Sequence, residues 1–325
     1  MLLNRRDLQS LAYMTALPAL AAWQWMHGIA LPLYAAMLFL TLGTGVIHHN
    51  HTHRRMWRSK RLNRLTDLWL TLLQGHPTYV FYPAHVANHH RYRHGPLDVA
   101  RSYRFGGDTN HLWGYLIHPL QAVSVLYPLF VRWLLAQRRR GSGAWRHALH
   151  QYAAVALLWG TLAAIDGEKW LLLVLLPQVH GLHWLLATNY LQHAHADGHS
   201  RMNYARNFEG WVNPLLFNIG LHTAHHEHPR AHWSELTRLH RDYRDRVDPR
   251  LNAGGLLPYM FRSFVLALFV PSLRSRSLMA ADDATPIALS APIVPSAPSA
   301  FPSFSSTNAP RPVAPAPAAQ DTETA

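Results

Sequence analysis

The chain has 325 residues, 49% of them hydrophobic, with 12 Trp, no Cys and a formal net charge of +13. Without Cys there is no disulfide framework, no thiolate zinc site and no iron–sulfur cluster of the chain's own. The basic residues flank apolar stretches, which points to an anionic membrane surface and not to nucleic acid.

In chain order, residues 8–26 form the first apolar stretch. A second, residues 29–47, follows at once, where a signal peptide would be followed by a small-residue cleavage site and a soluble domain. Both are therefore expected to span a membrane, each near the ~20 residues that crossing requires. Residues 148–165 and 169–190 make a second pair, joined by the short turn Asp166, Gly167, Glu168. Residues 111–137 and 256–270 are also apolar, but prolines interrupt the first and the second is short. Both are expected to be interfacial or re-entrant and not spanning. Six Lys/Arg fall between Arg54 and Arg64, and Arg138–Arg140 adds three more, while the two hairpin turns hold only Lys169. By the bias of basic residues, both termini should face the cytosol, in a bacterial inner membrane. Residues 281–325 carry nine of the 22 prolines and no periodic apolar face. The chain thus divides into a membrane domain over 1–278 and a tail over 279–325 that is expected to be disordered.

Nine histidines fall in four clusters beside these stretches: His49 and His53; His85, His89 and His90; His193, with Asn189 four residues before it; and His222, His225 and His226. Imidazole is the commonest side-chain metal ligand, and nine exceed what one four-coordinate ion can use. The count points to two ions at one membrane face. On a helix each residue advances ~100°, so positions i and i+4 share a face. His49 and His53 make such a pair, whereas His48 and His51 lie on other faces. Pro83 suits the first turn of a helix on which His85 and His89 align, with His90 adjacent. Asn189 and His193 are again i and i+4, and His222, His225 and His226 form one stripe. His180 and His183 are out of phase with His193 and read as packing residues. Asp98, Asp197, Glu227 and Glu235 are the acids near enough to orient a ligand's second nitrogen.

These motifs resemble the membrane fatty acid desaturase superfamily, which includes hydroxylases and ketolases. The first box is similar to His49-Asn50-His51-Thr52-His53 followed by Arg58-Ser59-Lys60-Arg61. The second is similar to His85-Val86-Ala87-Asn88-His89-His90. Asn189-Tyr190-Leu191-Gln192-His193 resembles the extra ligand motif. The last is similar to His222-Thr223-Ala224-His225-His226-Glu227-His228-Pro229, with His232-Trp233-Ser234 after it. The resemblance covers about residues 43–236, in family order.

It implies an all-α, multi-pass membrane fold of about four transmembrane helices, with interfacial helices and a cytosolic helical cap around a di-metal site. It implies two irons held by the nine histidines, with Asn189 acting through a water, and O2 as co-substrate. A fatty acyl or other membrane lipid is the implied substrate. A separate ferredoxin-like or cytochrome b5-like protein is the implied electron donor. Desaturation to a C=C bond is the expected reaction. Hydroxylation or ketolation of a carotenoid, alkane or other lipid is the alternative, and a metal transporter or haem-binding protein is the non-enzyme one. Transport would favour ligands at the bilayer midplane, and haem needs only one or two.

Overall fold

A computed structural model describes residues 1–279. The tail expected over 279–325 lies outside the described residues except for Met279.

The architecture is helical. Helix α1 spans Leu8–His27 and α2 spans Leu31–His53, which starts where Pro32 occupies the first turn. Helix α3, Lys60–Gln74, is capped by the Ser59 hydroxyl and ended by Gly75 in the left-handed conformation. Helix α4, Tyr82–His89, is wound as a π-helix with Pro83 in its first turn. Then come α5 (Leu112–Arg139), α6 (Ala144–Ile165) and α7 (Gly167–His193). The cap contributes α8 (His222–Glu227), α9 (Leu236–Arg244) and an apolar helix α10 (Leu256–Phe269). Its two short strands, β1 (Asn207–Glu209) and β2 (Asn252–Gly255), pair in parallel.

Among the described residues, four helices are long and apolar enough to cross a membrane: α2, α5, α6 and α7. By length and hydropathy this set includes α5 and omits α1, where the sequence reading counted residues 8–26 and not 111–137 as a span. Helix α5 is continuous through Pro119 and Pro128, so those prolines do not interrupt it. Helix α1 carries Gln9, Ser10, Thr15 and Gln24, and is not among the four. It nevertheless packs beside α2 as the first arm of a hairpin. Its start is fixed by Asp7, which accepts from His232 Nε2 and Trp233 Nε1 of the cap. Its far end, at Trp25 and Met26, shares a groove with Ile165 of α6 and Leu173 of α7.

The two hairpins, α1 with α2 and α6 with α7, thus have their turns at one end and the histidines at the other. Helix α5 is different. Its first turn meets Tyr190 near the end of α7, where Tyr190 Oη accepts from His111 N. Trp133, some six turns later, stacks on Tyr79, just before α4. Both ends lie at the histidine side, so α5 runs across the bundle there, in keeping with an interfacial helix.

Helix α3 buries Thr66, Asp67, Thr71 and Gln74 and exposes Leu65, Leu68 and Trp69. In water that face would be inverted, but it suits a helix in contact with lipid. The α2–α7 crossing depends on small residues. A Cβ on Gly181 would sit 3.2 Å from Thr41 Cβ, whereas one on Gly160 of α6 would meet nothing within 4 Å. Gly181→Leu should therefore lower stability by about 1–3 kcal/mol through overpacking. Gly160→Ala should leave it unchanged or raise it. Unfolding midpoints of the two variants in detergent check this.

Candidate metal centre

The local winding of each element decides where its imidazoles go. On α2, His49 and His53 lie one turn apart and converge with His85, His90 and His225. His49 Nε2 is 2.9 Å from His225 Nε2, which is 3.1 Å from His90 Nε2. His90 Nε2 is 3.1 Å from His85 Nε2, which is 3.0 Å from His53 Nε2. These five form site 1. His89, His193, His222 and His226 form site 2, where His222 Nε2 lies 3.0 Å from His193 Nε2 and 3.1 Å from His226 Nε2. Ligand atoms of site 2 all lie within 4.8 Å of one another.

Two histidine groups that the sequence reads as single stripes are in fact divided. His85 of α4 and His90, the residue that follows α4, face site 1 together, while His89 faces site 2. An α-helix would place i and i+5 about 140° apart. The π-helical winding, with its i to i+5 bonding, brings them onto one face. In α8, His222 and His226 turn to site 2, and His225, one residue before His226, turns to site 1. Helix α8 is held from its side by Asn207, which accepts from Thr223 N and donates to Thr223 Oγ1.

The nitrogen positions fit cations. An imidazole nitrogen carries either a proton or a lone pair, and an N–H serves one lone pair. Of the four serial Nε2 contacts in site 1, at most three can be hydrogen bonds on that count. His89 Nε2 is buried without a protein partner. His89 Nδ1 donates to Asp98 Oδ2 at 2.7 Å, and His193 Nδ1 donates to the Tyr204 carbonyl at 2.7 Å. Those bonds fix the tautomers and leave both Nε2 lone pairs for site 2. Burial first, and neighbouring imidazoles next, hold His85, His90, His222, His225 and His226 well below their ordinary pKa. They are thus neutral at pH 7, the state a metal requires.

The other expected residues separate clearly. Asn189 lies one turn before His193, and its amide nitrogen donates to Ala100 O at 2.6 Å, which leaves its oxygen as the remaining acceptor. His48 bonds Gln74 and the Thr78 carbonyl, and His51 accepts from Met56 N and faces Asp67. Both are taken up in packing α2 against α3 and the segment before α4. His180 and His183 join neither site, and His183 donates to Leu116 O. Of the nearby acids, Asp98 orients His89, and Glu227 accepts from Tyr204 Oη and Arg93. Asp197 caps a local turn through His199 N, and Glu235 is exposed. Two participants escaped sequence reasoning. The Tyr204 carbonyl has no side-chain signature, and His94, fully buried and stacked 5.0 Å from His193, lies outside any helical repeat.

The sequence model of the family described as "Fatty acid desaturase" matches residues 23–254. An alkane 1-monooxygenase of Ectopseudomonas oleovorans is 27% identical over 207 residues, covering 56% of this chain and 48% of that protein. The chain therefore spans about half the length of the curated relative it matches. No solved structure matches.

His89→Ala should deplete site 2 and His225→Ala site 1, while His180→Ala should retain the full complement of metal. Asp98→Asn should weaken retention by about 10–100-fold, since the partner that orients His89 is lost. Metal content of the purified variants, measured against chelator concentration, checks both.

Proposed function

The chain belongs to the fatty acid desaturase family, and from that premise we propose that it is a membrane di-iron oxidoreductase that uses O2 to oxidise an unactivated C–H bond in a lipid chain. One observation carries the reading. Two all-imidazole clusters share the same two elements, α4 and α8, at the end of a membrane helix bundle. His49, His53, His85, His90 and His225 would hold one iron. His89, His193, His222 and His226, with Asn189 beside them, would hold the other. Bound iron would supply the oxidising power that acid–base groups cannot bring to a saturated chain.

The chain's own residues supply the rest. Asp98 and the Tyr204 carbonyl keep His89 and His193 in the ligating tautomer. All four histidines of site 2 are buried, which keeps bulk water away. A largely apolar groove of about 400 Å³ lies between α1, α3, α6 and α7, among Leu17, Trp25, Leu73, Leu158, Leu162 and Leu173. That volume is within the range of small-molecule sites. It reaches Thr41 on α2, two turns from His49 and so about 12 Å along the helix. In this reading it receives the part of the chain remote from the reacting carbon.

Desaturation is the outcome suggested by the family's description. Hydroxylation is the second reading, and the similarity to alkane 1-monooxygenase favours it. The electron balance is common to both. Bringing both atoms of O2 to the oxidation state of water takes four electrons, whether both leave as water, as in desaturation, or one enters the product as a hydroxyl and one leaves as water, as in hydroxylation. Two come from the C–H bond or bonds that are oxidised, and two, with two protons, come from outside. A separate electron-carrying protein is therefore part of the proposal. So is a cytosolic orientation of the histidine end, where the basic residues are concentrated.

Lipid profiling by mass spectrometry, with and without expression, tests the function. A product lighter by two hydrogens assigns desaturation, and one heavier by one oxygen assigns hydroxylation. Unchanged lipids from a preparation holding two irons per chain and supplied with electrons would refute both.

A further inference from the structure

The two sites differ in their access to the surface. Site 2 is enclosed on all four ligands, whereas His53, His85 and His90 of site 1 are only half-buried. A cavity of about 20 Å³, room for a single water, lies among His53, His225, Arg54, Arg55, Pro229 and His232. It sits between site 1 and a rim of cations. Arg54 follows His53 directly and donates to the Arg230 carbonyl at 3.5 Å, and exposed Arg91 follows His90. Leu3 N donates to Met56 O and Arg58 N to Met1 O, which draws the segment with exposed Arg5 and Arg6 to the same rim.

Among the described residues, the acids of this region are engaged elsewhere. Residues 1–95 contain ten Arg/Lys and two Asp/Glu. Both acids are buried and engaged, Asp7 with His232 and Trp233, and Asp67 with Arg55. Glu227, the acid nearest in the third box, is held by Arg93 and Tyr204. The cap surface over residues 235–250 is different. Its five arginines alternate with four acids, and Arg250 pairs with Asp248.

We propose that the rim of Arg54, Arg91 and Arg230 is the docking surface for an acidic one-electron carrier protein, and that electrons enter at site 1. This rests on the oxidoreductase reading above, which requires two electrons from outside. Two successive dockings supply them, each oxidising one carrier by one electron, with O2 as the final acceptor. Complementary charge over a half-open site steers the carrier and shortens its path to the ligand imidazoles.

The test uses the full chain in an uncharged detergent and a plant-type [2Fe–2S] ferredoxin as the acidic probe. Its affinity is measured by fluorescence anisotropy, independently of turnover. Binding should weaken at least tenfold between low and physiological salt, where the screening length falls to ~8 Å. Arg54→Glu with Arg230→Glu should weaken it at least tenfold at low salt and flatten the salt dependence. Arg241→Glu with Arg246→Glu, on the balanced surface, should leave it unchanged. The neutral pair Arg91→Gln with Arg230→Gln covers the case in which charge reversal impairs folding, and should give a smaller loss in the same direction. Equal losses from both surfaces, or salt-independent binding, would overturn the proposal. Unchanged ferredoxin affinity with weaker retention in anionic vesicles would assign the rim to lipid headgroups and also overturn it. Iron analysis of the same preparations keeps the two ideas apart. Absence of iron with rim-dependent ferredoxin binding would sink the oxidoreductase reading alone.

Discussion

Imidazole nitrogens about 3 Å apart and held neutral are the constraint around which the rest of the molecule is arranged. Lone pairs at that distance repel one another unless a proton or a cation lies between them, and there are too few protons for every contact. The surrounding structure must therefore hold the rings in place against their own preference. It does so with bonds to the far side of two of the rings, His89 and His193, and to the helix that carries three others. Asp98 takes His89, a carbonyl takes His193, and Asn207 clamps the helix that carries His222, His225 and His226. Removing any of these leaves a ring free to turn its lone pair away.

Adjacent histidines face different centres at the end of α4 and within α8. His89 and His90 diverge, as do His225 and His226. The same two short elements thus reach both sites, so the separation of the centres is fixed by one residue's rotation along a helix and not by packing between domains. The π-helical winding of α4 is what allows this division in the second box. It widens the turn so that His85 and His90 meet, at the cost of a less regular hydrogen-bond pattern, a feature often found at functional sites.

The membrane explains what would be misplaced in water. Helix α3 shows lipid its leucines and turns Thr66, Asp67, Thr71 and Gln74 inward. Its last residue, Gln74, bonds His48, so the interfacial helix is tied to the helix of the first box. The hairpin turns lie at the far end from the histidines, the apolar groove lies along the bundle, and the cationic rim lies around the more open site.

The sequence by itself determined the helical membrane class, and the candidate-ligand residue types and their order, because those depend on local periodicity and on composition. It also separated His49 from His48 and His51 by helical phase, and the structure brings His49 into the cluster and gives the other two packing partners. It expected prolines to interrupt α5, which is continuous through Pro119 and Pro128, since a proline's effect on a helix depends on what supports the chain around it. Only the tertiary structure decided which histidine joins which site. That division depends on an i to i+5 turn and on contacts between residues far apart in the chain, such as His49 with His225. Neither leaves a repeat to read, because the register between distant elements is set by packing and not by the spacing within any one of them.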